Sequence, residues 1–272
     1  MEKFSYGPTL KRLDIAYLGN YSQSMKMRLS EENGVITYCI YLAPWNMSGR
    51  NVCPAGHHCH KFCLNGSGHN KSDILARGYE ESIINRSRIK KTRLFYEDRA
   101  TFMRLMIHEI KRTRNYAYSH GFEFAVRING TSDLSPELFI DPDTGLNILQ
   151  LFPSIQFYDY TKVFNRAHLM EKYPNYYLVF SYDGYNMEQC RMFLEMGGNI
   201  AVVFSNQERL PMYFYGRPVI DGNISDIRYT EGGGKVVGLH YHTTAANYKN
   251  GVYIEPDEEF VVKDDNPYIE WF

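Results

Sequence analysis

Short runs of β-branched and aromatic residues recur along the chain, separated by segments whose apolar positions repeat with a helical period. This alternation predicts buried strands joined by helices, as in right-handed βαβ units with a parallel sheet. Seven strands are predicted, at residues 35–42, 122–128, 155–160, 176–182, 199–205, 217–221 and 236–242. Seven is close to the eight of a closed barrel, so we expect one α/β domain over residues 1–272, a TIM-like (β/α) barrel, complete or partial. An open doubly wound sheet is the alternative.

The helical period is clearest at residues 99–119, and Asp98 precedes that segment as a predicted cap. A further helix is predicted to start at Asn186, where Gln189 would complete a capping box and Gly197 would stop the helix. The remaining predicted helices lie at residues 73–91 and 162–172.

A long segment without predicted secondary structure, residues 43–71, follows the first strand and is rich in Gly, Asn, Ser, His and Cys. Loops of this length are uncommon and are often functional. The segment contains Cys53, Cys59 and Cys63, three of the five cysteines, with the spacing C-x5-C-x3-C. Sites in barrel and doubly wound folds form at the carboxyl ends of strands, so this loop is predicted to bind a metal cluster at the barrel mouth.

Charge and hydrophobicity limit the classes of partner. The formal net charge of −1 does not indicate nucleic acid as a partner, and the basic run at residues 86–93 is typical of a solvated helix face. No signal peptide is recognisable, and no stretch reaches the roughly 20 apolar residues of a membrane span, so no membrane partner is expected. We therefore expect a cytoplasmic protein, in which clustered cysteines indicate a metal rather than disulfides.

Thiolates are soft ligands that suit iron–sulfur clusters and zinc. Three cysteines on one loop can hold three corners of a 4Fe–4S cluster, which leaves one iron for another ligand or a small molecule. Four histidines are candidates for a fourth ligand or for hydrogen bonds to the cluster: His57, His58, His60 and His69. A zinc site with three cysteines and one histidine is the alternative. Cys39 and Cys190 are predicted to be buried thiols and not ligands, because they lie in a strand and on an apolar helical stripe.

Polar side chains follow the later predicted strands, at the point where each strand ends. If the cluster lies at the barrel mouth, these side chains line the same cavity, although strand ends are also polar simply because loops are solvated. They are Arg127, Asn129, Asp133, Asp159, Ser181, Asp183, Asp221, His240 and His242. The acidic tail at residues 255–272 is expected to be a C-terminal extension docked on the surface.

Three segments carry a resemblance to a known family: NVCPAGHHCHKFCLNG (51–66), FAVRINGTSDLS (124–135), and a late segment running from RPVIDGNISDIRY (217–229) to VVGLHYH (236–242). With them the chain resembles the phage gene product 88 proteins over most of its length. The resemblance implies a viral origin, the host cell cytoplasm as location and an iron–sulfur site in the cysteine loop, but no particular reaction. The chain departs from the family pattern where VVGL continues with HYH instead of a basic residue.

The expected function is an iron–sulfur protein of phage type, with redox or radical chemistry on an unknown small molecule or with a redox partner. The loop placement is also similar to that of radical S-adenosylmethionine barrels, which implies S-adenosylmethionine as a candidate cofactor. The spacing here differs from the C-x3-C-x2-C of those enzymes. The alternative function is a zinc-stabilised binding protein without catalysis, contacting a host protein or nucleic acid through the basic run.

Overall fold

The structure is a computed structural model that describes residues 4–21, 25–56, 58–60, 63–249, 252–255 and 259–271. The helices are α1 (Tyr6–Leu13), α2 (Met25–Glu32), α3 (Gly68–Arg77), α4 (Ile83–Glu97), α5 (Arg99–Ser119), α6 (Ile148–Leu151), α7 (His168–Lys172) and α8 (Met187–Glu195). The strands are β1 (Gly19–Asn20), β2 (Val35–Ile40), β3 (Glu123–Arg127), β4 (Gln156–Thr161), β5 (Tyr176–Ser181), β6 (Asn199–Phe204), β7 (Tyr213–Phe214), β8 (Arg217–Asp221), β9 (Val236–His240), β10 (Tyr248–Lys249), β11 (Val252–Tyr253), β12 (Val261–Val262) and β13 (Ile269–Glu270). None of the described helices is long and apolar enough to span a bilayer.

The seven strands predicted from the sequence form the parallel part of the sheet. They lie in the order β2, β3, β4, β5, β6, β9 and β8, and each is parallel to its neighbours. Parallel neighbours need a crossover connection, and helices supply it between most of these strands. The prediction of an α/β fold is therefore confirmed.

The described strands form an open sheet, so the closed form of the predicted barrel is not what they build. The path through the sheet begins at β1 and ends at β13. At one edge β1 pairs antiparallel with β2, and towards the other edge β7 pairs antiparallel with β8. A closed parallel barrel requires its first and last parallel strands to pair with each other, and here both are occupied by short antiparallel strands.

The predicted C-terminal extension contributes two of the short strands. β12 pairs in parallel with the carboxyl end of β6, and β13 pairs antiparallel with β7. Where the extension approaches the loop after β5, a Cβ on Gly184 would lie 2.7 Å from the carbonyl carbon of Glu259. The extension is thus packed against the carboxyl edge of the sheet through its backbone.

The predicted helix at residues 73–91 is two helices, and the predicted loop at residues 43–71 ends where α3 begins at Gly68. Gly78 terminates α3 with φ of +94°, a conformation that favours glycine. Ser82 then caps α4 through its side-chain oxygen. The sequence did not reveal the break because a single glycine is also compatible with a continuous helix.

The predicted capping box of α8 does not form. Asn186 precedes the helix and Gly197 follows it with φ of +83°, both as predicted. The Asn186 side chain, however, makes no cap with Gln189. Its amide instead donates to the carbonyl of Ser181 at 3.0 Å and accepts the N–H of Asp183 at 3.0 Å. The Asn186 side chain therefore closes the turn after β5 and does not cap α8.

One face of the sheet and the helices packed on it enclose the main hydrophobic core. In β2, Ile36, Tyr38 and Ile40 belong to this core, whereas the intervening Thr37 lies on the opposite face. Helix α5 covers β2 and β3 with a stripe that includes the fully buried Phe102. Complete burial of such a side chain contributes on the order of 2 kcal/mol.

A buried carboxylate fastens the N-terminal segment to this core. Glu109 of α5 is 1% exposed and accepts four hydrogen bonds. The donors are the Tyr6 hydroxyl at 2.8 Å, the Leu18 N–H at 2.9 Å, the Gly19 N–H at 2.8 Å and the Tyr38 hydroxyl at 2.7 Å. Because both carboxylate oxygens are satisfied, Glu109 holds β1 against β2, the strand that leads into the cysteine loop.

We expect Glu109→Ala to lower the free energy of unfolding by at least about 3 kcal/mol. The change leaves two buried backbone N–H groups and two hydroxyls without their acceptor, and each such loss costs about 1–3 kcal/mol. Glu97→Ala, at an exposed position on α4, should change stability by less than about 0.5 kcal/mol. Urea unfolding of both variants measures this, and a loss below about 1 kcal/mol for Glu109→Ala contradicts the assigned role.

Candidate metal centre

The cysteine loop is defined from here as residues 43–67. Its shape depends on the loop that follows β3, residues 128–135, which is called the β3 loop. Among the residues of the cysteine loop that the structure describes, secondary structure is limited to a 3-10 turn at Leu64–Gly66. Three hydrogen bonds connect the β3 loop to the end of β2 and to the cysteine loop that follows it: Gly130 N–H to Ile40 O at 2.9 Å, Thr131 Oγ1 to Leu42 O at 2.5 Å, and Asp133 N–H to Val52 O at 2.7 Å. The last of these bonds is made to Val52, the residue that precedes Cys53. The resemblance in the two segments 51–66 and 124–135 therefore falls on residues that contact each other.

Close backbone approach at Gly130 makes glycine necessary in this contact. A Cβ there would lie 2.8 Å from the carbonyl oxygen of Ile40 and 2.7 Å from the ring of Tyr41. Within the cysteine loop, a Cβ on Gly56 would lie 3.1 Å from the Cβ of Cys53. The backbones are packed at distances that leave no room for a side chain at Gly130.

Two of the predicted strand-end residues, Asn129 and Asp159, hold the β3 loop in place. The Asn129 side chain accepts from Ser132 at 2.8 Å and exchanges bonds of 2.9 Å with the backbone of Leu134. Its backbone N–H and its amide donate to the two oxygens of Asp159 at 2.9 and 3.0 Å, and Tyr176 adds a third donor at 3.2 Å. Burial raises the pKa of Asp159 from 3.8 to about 7.

The three loop cysteines are half-buried, and their sulfur atoms interact electrostatically. Burial, with a smaller contribution from the neighbouring thiols, raises the pKa of Cys53 to about 12 and that of Cys63 to about 11. Cys53 Sγ accepts the N–H of Trp45 at 3.4 Å, and the backbone N–H of Asn65 acts to lower the pKa of Cys63. Backbone N–H groups beside a sulfur stabilise its thiolate and so oppose the effect of burial.

No three Cys, His, Asp or Glu side chains within the described ranges are grouped as ligands of a single metal ion. A single zinc ion requires this convergence, because each Zn–S bond is only about 2.3 Å long. A cluster does not require it, because its cysteines bind separate irons. Of the predicted histidine ligands, His57 lies outside the described residues, and His69 is exposed near the start of α3.

The other two predicted histidines are packed on aromatic rings. His60 stacks on Trp45 with ring centroids 4.8 Å apart, and His58 lies 3.9 Å from the ring of Tyr185. Tyr185 belongs to the loop after β5, so the cysteine loop extends across the carboxyl edge of the sheet from β2 to β5. These stacks fix the loop on both sides of Cys59.

A buried amide network, which the sequence did not predict, supports Cys63. The side chains of Asn65 and Asn70 both donate to Asn85 Oδ1, at 3.0 and 2.9 Å, and Arg88 donates to Asn65 Oδ1. The three asparagines are at most 4% exposed. This network fixes the backbone of Asn65, whose N–H acts to lower the pKa of Cys63. In the sequence these asparagines do not stand out, because asparagine is ordinarily a surface residue.

The basic run at residues 86–93 is only partly the solvated helix face that its pattern predicted. Arg88 lies under the cysteine loop, Lys90 forms an ion pair with Asp14, and Lys91 is 4% exposed. Burial lowers the pKa of Lys91 to about 8. The run lies in α4, against the N-terminal segment and the cysteine loop, so three of its five charges are engaged within the protein.

Arg127 lies on the opposite face of the sheet from the main core. Its guanidinium is 2.6 Å from Asp226 and 4.8 Å from the centre of the Tyr160 ring. Arg228, which is fully buried, donates to the Tyr160 hydroxyl at 2.8 Å. Arg127 Nε is buried without a hydrogen-bond partner in the part of the chain that the structure describes. Buried ion pairs contribute little net stability, so this group determines geometry more than it stabilises the fold.

Asp133, Ser181 and Asp183 are engaged in local structure near the cysteine loop. Asp133 accepts the N–H of Lys162 at 3.0 Å and forms an ion pair of 2.5 Å with Arg166. The Ser181 carbonyl and the Asp183 N–H bond to the side chain that precedes α8, as described above. The cation and carboxylate beside Cys53 are thus already paired with each other.

The last three predicted residues line cavities at the carboxyl ends of the later strands. A cavity of about 350 Å³ is lined by His242 together with Ser205 and Tyr241. A second, of about 370 Å³, is lined by Asp221 and His240. No cysteine is among the described residues that line either cavity. The structure therefore places Asn129, Asp133 and Asp159 beside the cysteine loop and the last three residues at separate cavities.

Cys39 and Cys190 are 1% and 0% exposed, in agreement with their predicted burial. Burial raises the pKa of each to about 12. Cys39 lies in β2 opposite Arg127 of β3. Cys190 lies on the buried side of α8 and belongs to the main core. Their surroundings are those of packed thiols and not of metal ligands.

A family described as gene product 88 has a sequence model that matches residues 11–252. The matched region includes the cysteine loop, the β3 loop and all seven parallel strands. No curated protein and no solved structure matches the chain, so the predicted similarity to radical S-adenosylmethionine barrels has no support from these comparisons.

We expect the contribution of Asp159 to the free energy of unfolding to fall as the pH rises. Because its pKa is raised to about 7 in the folded protein, the folded state retains a proton that the unfolded chain releases above about pH 4. Its contribution is therefore complete below about pH 4 and is lost as the pH rises through about 7. The stability advantage of the natural protein over Asp159→Asn, which cannot titrate, should shrink by about 3–4 kcal/mol between about pH 4 and 8.

Chemical denaturation of both proteins across this pH range measures the difference in the free energy of unfolding. Comparing the two removes the contribution of the other carboxylates. A difference that stays constant or widens as the pH rises contradicts a raised pKa for Asp159.

Proposed function

The chain belongs to the gene product 88 family, and we propose that it is an iron–sulfur protein whose 4Fe–4S cluster is held by Cys53, Cys59 and Cys63. The observation that supports this most directly is a set of three half-buried thiols on one loop, of which Cys53 accepts the backbone N–H of Trp45. Backbone donors to cysteine sulfur are a known means by which proteins stabilise iron–sulfur clusters.

The arrangement of the candidate ligands favours a cluster over a zinc site with three cysteines and one histidine, because no three of them converge among the described residues as a single ion requires. His60 and His58 are each held by a stack, on Trp45 and on Tyr185. Aromatic stacks of this kind contribute about 0.5–1.5 kcal/mol beyond the area that they bury. In a cluster the histidines can keep these positions and act on the cluster from outside the ligand set.

When bound, such a cluster accepts and releases single electrons, and three cysteines leave one of its irons available for a small molecule. The residues of the chain then orient the cluster and control its access to water. The cysteine loop and the β3 loop would hold it at the carboxyl edge of the seven parallel strands. We place the protein in the cytoplasm of the phage host, where thiols stay reduced.

Redox chemistry is the form of this function that we favour over radical chemistry with S-adenosylmethionine. In such chemistry, residues 129–131 would be expected to present backbone groups to the cofactor. The Asn129 N–H is instead bonded to Asp159, and the Gly130 N–H is bonded to Ile40. These donors hold the cysteine loop and are not directed at a small molecule.

We expect Cys53→Ala, Cys59→Ala and Cys63→Ala each to lose most of the bound iron and sulfide, because each removes one of three ligands. A matched control changes the two buried cysteines, Cys39→Ser and Cys190→Ser, and should retain the cluster absorption at some cost in stability. Iron and sulfide per chain, measured after anaerobic purification, are compared with circular dichroism as a test of folding.

Full iron retention in any one of the three alanine variants removes that cysteine from the ligand set. Bound zinc without sulfide, lost on His58→Gln or His60→Gln, would instead show a zinc site with a histidine ligand. Cyanide added to the reduced natural protein should shift its electron paramagnetic resonance signal if one iron is open. An unchanged signal means that a fourth protein ligand occupies that iron.

A further inference from the structure

The solvent-facing side of α5 is positively charged, although the chain as a whole is not. Over its 21 residues α5 carries five basic side chains and a single acidic one, Glu109, which is buried. Exposed helix faces ordinarily mix the two signs, because oppositely charged side chains three or four residues apart stabilise the helix. The net charge of −1 therefore conceals a local basic surface on the longest described helix.

One row of side chains on this surface consists of Lys111, Arg114 and Tyr118. Their spacing of i, i+3 and i+7 places them on the same side of the helix. Lys111 is exposed, Arg114 is partly exposed, and Tyr118 is 54% exposed. Neither cation belongs to an ion pair formed by the described residues. This row therefore offers two positive charges and an aromatic ring to the solvent.

The neighbouring row consists of Arg112, Tyr116 and His120, at i, i+4 and i+8. The ring centroids of Tyr116 and the exposed His120 are 4.2 Å apart, and Tyr116 also stacks on Tyr21 with centroids 5.6 Å apart. The Arg112 guanidinium lies 5.3 Å from the centre of the Tyr6 ring. These contacts hold the second row against the N-terminal segment, so its charge and its rings are positioned before any partner binds.

Cations that lie beside exposed aromatic rings match the chemistry of single-stranded nucleic acid. Phosphate groups pair with lysine and arginine, and unpaired bases stack on aromatic side chains. A duplex hides the faces of its bases in its own stack, and an acidic peptide needs only the charges. The rows extend from Lys111 to His120, which is about 14 Å along the helix and is long enough for a few phosphates of one strand.

We propose that the exposed face of α5 is a binding surface for single-stranded nucleic acid. Lys111, Arg112 and Arg114 contact phosphates, and the rings of Tyr118 and His120 stack with bases. Binding of this kind is sensitive to salt and tolerant of sequence. Helix α5 ends shortly before β3 begins, so the surface lies near the amino edge of the parallel strands, away from the cysteine loop at their carboxyl edge. The inference therefore does not depend on the proposed function.

Binding is measured by the fluorescence anisotropy of labelled oligo-dT and oligo-U strands of about 15 nucleotides, mixed with the full-length natural protein. We expect both strands to bind, and duplexes of the same length to bind about tenfold more weakly because their bases cannot stack on the rings. The double variant Lys111→Gln, Arg114→Gln should weaken binding. It should also reduce the slope of log affinity against log salt by about 1.4, as expected for two lost phosphate contacts on a single strand. Tyr118→Ala should weaken binding about tenfold with an unchanged slope, because it removes stacking and no charge.

The matched control removes two exposed cations from other helices, with Arg77→Gln on α3 and Arg191→Gln on α8, and should leave the affinity and the slope unchanged. Tyr118→Phe keeps the ring and should bind like the natural protein. The changed side chains lie outside the hydrophobic core, and circular dichroism checks that each variant is folded.

A natural protein that binds neither strand at low salt overturns the inference. Binding that is unchanged in the α5 variants, or weakened equally in the matched control, also overturns it, because the strand would then lie on another surface. A duplex that binds as tightly as a single strand shows that charge alone is recognised and overturns the role of the rings. Polyglutamate that displaces the strand at the same concentration as unlabelled oligo-dT would assign the surface to an acidic protein partner instead.

Discussion

The hydrogen bonds between the β3 loop and the cysteine loop are the contacts on which the candidate site depends. A segment without secondary structure loses about 1–2 kcal/mol of backbone entropy for each residue that it orders, so its geometry has to be imposed from outside. Here the β3 loop imposes it, and that loop is in turn held by Asn129 and by the buried carboxylate of Asp159. The chain of support therefore runs from the parallel sheet, through β3 and β4, to Cys53.

The same site is unusual in its electrostatics. Burial opposes the ionisation of Cys53 and Cys63, whereas backbone N–H groups beside them favour the thiolates. In the proposed function a bound metal resolves this opposition, because it displaces the protons and neutralises the thiolate charge. The amide network under Cys63 contributes rigidity, since every polar group in a buried network has to remain bonded.

The parallel strands could be predicted from the sequence because they are buried and rich in β-branched and aromatic residues, and their bounds agree within a residue or two. The open sheet could not be predicted in this way. It depends on two-residue strands such as β1 and β7, which carry no periodicity, and on β9 lying between β6 and β8 against chain order. The cysteines were evident from their spacing. Glu109 and Asn85 were not, because charged and amide side chains are normally exposed and only the tertiary structure shows that they are buried and fully bonded.

The most direct measurement is the quantification of iron, acid-labile sulfide and zinc in the natural protein purified without air. We expect about four irons and about four sulfides per chain with a brown colour and little zinc, as for a single cubane cluster. A colourless protein with one zinc per chain and no sulfide, or a folded protein with no bound metal, would contradict the central claim that the cysteine loop binds an iron–sulfur cluster.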